Sequence, residues 1–256
     1  MSEQARALVV MPTYDERDSL PRTLDALREY APEVDVLVVD DGSPDGTGEL
    51  AEKIAAADAA ECGRTRIQVM HRTGKQGLGT AYVAGFRWAL EREYPAVVEM
   101  DADGSHRAQD LPRLLDRLAA TDRPALVIGS RWVRGGRVVN WPLHRQLLSR
   151  GANVYAWLAM GLPVRDATAG FRVYRRAALA GLALDEVASH GYCFQIDMAW
   201  RVLKSSGRVA EVPITFVERA EGRSKMSRSI VVEALVKVTV WGAQERWRQL
   251  RGLVRR

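Results

Sequence analysis

Cysteine is scarce in this 256-residue chain: only Cys62 and Cys193 occur, far apart and without metal-ligand spacing. That excludes a disulfide scaffold and suits two free thiols in a reducing compartment. No apolar run reaches the ~18 residues of a membrane span. The nearest are 152–162 (ANVYAWLAMGL) and 230–243 (IVVEALVKVTVWGA), the second broken by Glu233 and Lys237, and both read as buried or interfacial helices. The apolar stretch that starts at Ala7 is too short for a signal peptide and follows an acidic Glu3, so a cytoplasmic chain is expected. Low-complexity tracts and internal repeats are lacking, and the 10 prolines are scattered. With 47% hydrophobic and 27% charged residues, a disordered chain is excluded.

Negative charge is the minority sign. The net charge is +5, and five arginines follow Glu245 in the tail QERWRQLRGLVRR. Such a balance suggests a polyanionic partner: nucleic acid, a phosphorylated metabolite or an anionic membrane surface. Nucleic acid is the least favoured of these. The arginines are not interleaved with aromatics on a recognisable binding fold, and acidic loops would repel phosphate unless a cation sat between.

What the chain does have is a rhythm. Short β-branched runs recur at 7–11, 36–40, 67–71, 96–100 and 125–129, and helical patterns lie between them at Ser19–Tyr30, Thr47–Ala59, Leu78–Glu93 and Asp110–Ala119. Alternation of this kind predicts an α/β fold with a mainly parallel central sheet flanked by helices, and apolar runs without polar alternation fit strands covered on both faces. Beyond residue 140 the pattern predicts helices, one strand at Phe171–Tyr174, an apolar run at Val209–Val217 and an amphipathic helix over 227–250 with Ile230, Ala234, Leu235, Val238, Trp241 and Glu245 on one face. Ligands of open parallel sheets bind beyond the carboxyl ends of the strands. The polar loops PTYDE, DGSPDGT, RTGKQGLG, DADGSH and SRW each follow one of the five runs, so all five are expected on one edge.

Two of those loops are acidic. In VVEMDADGSH an apolar strand delivers Asp101 and Asp103 to one place. Paired carboxylates at a strand end suit a hard divalent cation that takes oxygen ligands and leaves positions open to substrate phosphates. A plain turn, with Asp103 bonded to Gly104 and Ser105, explains the same letters. In DDGSPDGT the carboxylate of Asp40 or Asp41 has the chemistry to accept bonds from ribose hydroxyls or base N–H groups, and here too Asp, Gly, Ser and Pro are ordinary turn formers.

Taken together and in order, VVMPTYDE, VVDDGSPDGT, K-x-GLG-x-A (Lys75 to Ala81), MDADGSH, GSR (129–131), D-x-T-x-GFR (Asp166 to Arg172) and GYCFQID (191–197) resemble the glycosyltransferase family 2 enzymes of GT-A, Rossmann-like fold, and among them the polyprenol-phosphate (dolichol-phosphate) mannose synthases. The resemblance covers Val9 to about Lys225. It implies a GT-A catalytic domain over 1–226 and a C-terminal amphipathic, Arg-rich interfacial segment over 227–256.

The resemblance also implies roles. Pro12, Tyr14, Glu16, Val39 and Asp41 would hold the nucleobase and ribose of the donor, with Lys75 and Ala102 on the same side. Asp101 and Asp103 would bind Mg²⁺ or Mn²⁺ across the donor diphosphate. Arg131, Arg219 and Lys225 would contact phosphates of donor and acceptor, and Arg145 and Ser149 would lie on the acceptor side. Relatives often carry Gln two residues after the second Asp as a third metal ligand; Ser105 stands there, so that ligand is the hydroxyl, a water or absent. Asp15 stands where Asn is usual, and Cys193 where Ser is common.

The implied activity is inverting transfer of mannose from GDP-mannose to a polyprenyl monophosphate. A phosphate monoester loses its second proton near pH ~6 and is already a nucleophile at neutral pH, so no general base is assigned. Transfer of glucose from UDP-glucose is the alternative within the class. A nucleotidyltransferase would also use paired aspartates, but such enzymes usually carry a glycine-rich phosphate loop after the first strand, where this chain has PTYDE. With no span of its own, the chain resembles family members that work at the cytoplasmic membrane face beside an integral-membrane partner, in bacteria a domain resembling apolipoprotein N-acyltransferase.

Overall fold

The computed structural model describes residues 6–187, 192–205, 207–218, 235–244, 246–247 and 251. Nine strands occur among them: β1 (Ala7–Thr13), β2 (Asp35–Asp40), β3 (Ile67–His71), β4 (Ala96–Glu99), β5 (Leu126–Ser130), β6 (Arg137–Val139), β7 (Arg172–Arg175), β8 (Val209–Pro213) and β9 (Thr215–Val217). The helices are α1 (Leu20–Tyr30), α2 (Thr47–Cys62), α3 (Leu78–Glu91), α4 (Leu111–Ala119), α5 (Leu143–Met160), α6 (Arg176–Ala180) and α7 (Tyr192–Lys204), with residues 235–244 forming a further helix. Every strand and helix expected before residue 130 is present within a few residues of its expected bounds.

The main sheet has the order β3-β2-β1-β4-β7-β5-β8. β7 alone runs antiparallel, wedged between β4 and β5. Since β4 and β5 are each antiparallel to β7, they are parallel to each other, and the carboxyl ends of β1 to β5 share one edge as expected. β6 and β9 form a separate parallel pair, which the sequence reading did not contain. β9 follows β8 after a single residue and brings Phe216 into a bridge with His106, laying this small sheet alongside the DADGSH loop.

The core divides by strand parity. Leu8 and Val10 of β1 face α3 and α7, among Tyr82, Phe86 and Phe194. Val9 and Met11 face α1 and α4, among Leu20, Leu24, Leu111 and Leu114. This two-sided burial is what the uninterrupted apolar strands anticipated. Two glycines set the geometry near the site edge. At Gly85 a Cβ would sit 2.3 Å from Val10 Cγ1, so its absence lets α3 lie close against β1. At Gly42 the backbone has φ +75° and a Cβ would sit 2.8 Å from Gly74 Cα, which lets the loops after β2 and β3 touch.

The 235–244 helix packs on α5 and α7. Trp241 stacks on Trp200 at 6.0 Å, Val238 is buried, and a Cβ at Gly242 would meet the Ala159 carbonyl oxygen at 2.3 Å. Val238 and Trp241 therefore face inward together, as the expected apolar face requires, whereas Leu235 is exposed. Ile230, Ala234 and Glu245 of that face lie outside the described residues.

Candidate active site

At the end of β4 the chain leaves the sheet and turns through Asp101, Ala102, Asp103, Gly104 and Ser105. Asp101 is held at two points. Its backbone N–H donates to His106 Nδ1 at 3.0 Å, and its Oδ1 accepts from the Tyr82 hydroxyl at 3.0 Å. Burial pushes the His106 pKa down, which keeps the ring neutral with Nδ1 as acceptor; Phe171 stacks on it at 5.2 Å and Phe216 meets it edge-on at 5.8 Å. Burial, with the Asp101 and Glu99 charges nearby, pushes the Tyr82 phenol well up, so it acts as an O–H donor. Asp103 Oδ1 accepts from the Ser105 backbone N–H at 3.0 Å: the turn bond expected of a bare D-x-D is present.

The residues also fit a cation. Both carboxylates are only half-buried, and the buried Ser105 hydroxyl in the same turn has no hydrogen-bond partner among the described residues. No group of three or more His, Cys, Asp and Glu converges among the described residues. A cation at the Asp pair would thus take most of its ligands from elsewhere, as Mg²⁺ and Mn²⁺ do when they bridge phosphates. Beneath this turn, Glu99 and Arg172 are wholly buried, 4.0 Å apart. Burial raises the Glu99 pKa to about 7, opposed by the Arg172 charge. Arg172 donates to the carbonyl oxygens of Ala169 (2.7 Å), Ala167 (2.7 Å) and Gln195 (2.6 Å), tying the D-x-T-x-G loop to α7.

The nucleotide-side candidates gather at the ends of β1 and β2. Pro12 lies in β1, and Tyr14 and Glu16 follow it; Val39 is buried in β2. Asp40 accepts from Thr13 Oγ1 and Ser43 Oγ. Asp41 accepts from Arg72 Nη1 at 2.5 Å and from the backbone N–H groups of Gln76 (3.0 Å) and Gly77 (2.8 Å). Both carboxylates are thus built into the loops, and Asp41 shapes the segment that sets Lys75 Nζ 3.8 Å above the Tyr14 ring. Ala102 is buried, and its carbonyl accepts from Thr23 Oγ1 at 2.9 Å.

Arg131 stands at the end of β5, buried. Its Nε and Nη2 donate to the two carboxylate oxygens of Asp166 at 2.8 and 2.7 Å, Nη2 also donates to Thr168 Oγ1 at 2.8 Å, and the backbone N–H donates to Asp166 Oδ2 at 2.9 Å. Asn153 of α5 donates to Asp166 at 3.3 Å and accepts from the Thr168 N–H at 3.3 Å. The guanidinium lies among Trp132, Trp141 and Phe216, 5.2 to 5.8 Å from their ring centres. On α5, Arg145 pairs with Glu218 and lies over Trp141, Arg150 lies over Trp132, and Ser149 Oγ accepts from Trp132 Nε1 at 3.3 Å. The structure therefore brings Arg131, Arg145 and Ser149 together on one aromatic wall, with β9 linking that wall to the DADGSH loop. Arg219 and Lys225 lie outside the described residues.

Tyr82, His106, Asn153 and Glu218 had no assigned role in the sequence reading, and Asp166 only a place in a motif. The one local signal was the repetition of polar residues inside those motifs. Apart from His106, five residues from Asp101, the partners lie 13 to 73 residues apart, beyond the reach of spacing arguments.

Residues 8–182 match the family described as Glycosyl transferase family 2. The chain belongs to this family. Within it, the chain is 53% identical over 246 residues to the undecaprenyl-phosphate mannosyltransferase of Micrococcus luteus, covering 96% of this chain and 98% of that one. It is 52% identical over 251 residues to the polyprenol monophosphomannose synthase of Mycolicibacterium smegmatis, covering 98% and 92%. Among solved structures it is similar in fold to a mannosyltransferase of Pyrobaculum calidifontis in complex with GDP-Man and Mn²⁺, with TM-score 0.56 and 22% identity over 86% of this chain and 58% of that one. The mainly parallel, helix-flanked sheet is thus the fold that the motifs implied.

Proposed function

We propose that this family 2 glycosyltransferase moves mannose from GDP-mannose to a polyprenyl monophosphate with inversion, giving a β-linked lipid-phosphate mannose. The observation that carries the reading is the juxtaposition, on one sheet edge, of the Asp101–Asp103 turn with the basic aromatic wall of Arg131, Arg145 and Arg150. Two phosphorylated substrates meeting in one cleft need offsetting positive charge on both sides. Two relatives, 53% and 52% identical over nearly the whole chain, carry names that specify mannose and a polyprenyl phosphate; the GDP donor and the inversion rest on the motifs and the chemistry.

The chemistry follows from the residues. Breaking the anomeric C–O bond leaves new negative charge on the departing diphosphate, and groups aimed there lower the barrier because the charge appears only in the transition state. A divalent cation held by Asp101 and Asp103, with Ser105 as the third candidate, would supply most of that stabilisation. Pro12, Tyr14, Glu16, Val39, Asp41, Lys75 and Ala102 line the donor's nucleoside end. Arg131, held rigid by Asp166, Thr168 and Asn153, presents fixed positive charge to the phosphates, and Arg145 and Ser149 border the acceptor; Arg219 and Lys225 complete the basic set. No carboxylate is needed as base, since the acceptor phosphate is itself the nucleophile.

No helix among the described residues is long and apolar enough to cross a membrane. The route to a bilayer acceptor is peripheral. Leu143, Leu147, Trp157 and Leu158 of α5 are exposed, as are Val236 and Val240 on the neighbouring 235–244 helix and Trp247 after it, and Arg246 and Arg251 lie in that same tail. Apolar side chains beside arginines suit an anionic interface. The relatives' names specify no integral-membrane partner.

The test is transfer of labelled sugar from GDP-mannose, with UDP-glucose in parallel, to a short polyprenyl phosphate in detergent, with Mg²⁺ or Mn²⁺ and with EDTA. Metal-dependent mannosyl transfer that vanishes in Asp103→Ala is expected. Transfer from UDP-glucose alone, or undiminished activity in EDTA, would refute the donor or the cation assignment respectively.

A further inference from the structure

Among the described residues, one side chain, Tyr82, donates a hydrogen bond to the Asp101 carboxylate. Its hydroxyl lies 3.0 Å from Asp101 Oδ1, its ring is wholly buried, and it packs in a triangle of rings with Phe86 at 6.0 Å and Phe194 at 5.8 Å, themselves 6.4 Å apart. Those stacking rings leave the ring little rotational freedom. The backbone above is held as tightly: Gly85, one turn further along α3, lets the helix close on Val10 of β1. A tyrosine whose ring, helix and strand are all fixed delivers its O–H to one point in space.

That point is one oxygen of a carboxylate whose own backbone N–H is held by His106. With Oδ1 taken by Tyr82, the other oxygen, Oδ2, faces Gly170, 3.8 Å from where a Cβ of that glycine would sit. We propose that Tyr82 is a positioning residue that clamps the Asp101 carboxylate through Oδ1, fixing its rotamer so that Oδ2 is presented to the divalent cation of the nucleotide complex. The proposal rests on the reading of Asp101 as a cation ligand. Partners that orient a ligating carboxylate typically contribute 10–100-fold to metal affinity, because without them the carboxylate must be ordered at the moment of binding. The phenol itself never touches the cation.

The experiment is Mn²⁺ binding to the full chain in the presence of GDP, read from the electron paramagnetic resonance signal of free Mn²⁺, for the wild type, Tyr82→Phe and Tyr174→Phe. Tyr174 is likewise a wholly buried tyrosine, but its hydroxyl lies against Arg172 and Glu99 rather than Asp101, so its variant reports what losing a core hydroxyl beneath the same turn does. Tyr82→Phe is expected to raise the Mn²⁺ Kd about 10-fold, with GDP affinity in EDTA unchanged and Tyr174→Phe within twofold of wild type. Equal Mn²⁺ affinity in wild type and Tyr82→Phe would overturn the clamp alone. An equal loss in both variants would overturn it too, reducing Tyr82 to a core residue. Absence of any nucleotide-dependent Mn²⁺ binding in the wild type would bring down the cation reading of Asp101 and the clamp with it.

Discussion

Arg131 and Asp166, 35 residues apart, form a two-point ion pair in which both guanidinium-to-carboxylate bonds are under 3 Å and both side chains are almost wholly buried. A buried pair of this geometry is held by its surroundings more than it holds them, since removing water from both charges costs nearly what their attraction returns. Its value lies in direction. Arg131 cannot swing, so its charge stays fixed at the end of β5.

Removing one partner strands the other. Asp166→Ala is expected to destabilise the protein by ~3–5 kcal/mol, the usual cost of an uncompensated buried charge, and Asp166→Asn by less. Urea midpoints compared with wild type measure this, and a midpoint unchanged in Asp166→Ala would show that the pair is dispensable.

At Asp15 the backbone has φ +56°, a region open to Asn, Asp and Gly but costly for branched side chains. Asp15→Asn is expected to leave stability unchanged, and Asp15→Val to lower it by about 1–2 kcal/mol. Thermal melts of the two variants decide the point. Asp and Asn are thus equivalent at this position in backbone terms.

Close packing at Gly85 makes a third expectation. A Cβ there would overlap Val10 Cγ1, so Gly85→Ala is expected to cost roughly 1–3 kcal/mol through overpacking. Because α3 carries Tyr82, the same variant is expected to weaken Mn²⁺ binding as well, measured in the same titration as Tyr82→Phe.

Burial, with the Asp35 carboxylate at 3.0 Å, raises the Tyr94 hydroxyl to about 12. The unfolded chain would release that proton near pH ~10. The contribution of Tyr94 is therefore fully present below pH ~10 and lost as pH rises towards the folded value. Wild type is expected to lose stability faster than Tyr94→Phe between pH ~10 and ~12, a trend visible in urea midpoints at each pH.

The exposed apolar side chains of α5 give a test of membrane contact. Replacing Leu147 and Trp157 together with Glu is expected to cut co-sedimentation with anionic vesicles by at least ~10-fold, since each buried apolar side chain contributes ~1.5–3 kcal/mol. Activity on a detergent-dispersed short acceptor should fall less. Unchanged vesicle binding would place the interface elsewhere.

What the chain determines alone is local. Five strands, four intervening helices and the convergence of their loops on one edge were legible, because a buried strand must be apolar throughout and a ligand loop must be polar, and both marks are written within a few neighbouring residues. The D-x-D turn and the DDGSPDGT loop were legible for the same reason. The tertiary structure alone decided the rest. β7 wedges antiparallel between β4 and β5, and β9 pairs with β6 across 78 residues. Tyr82 reaches Asp101, and Asp166 answers Arg131. Each joins segments whose separate sequences carry no trace of the other, since a hydrogen bond or a ring stack between distant residues depends on how helices and strands settle against one another. The residues that carry charge were visible in the sequence, whereas the residues that aim them became visible only once the sheet had formed.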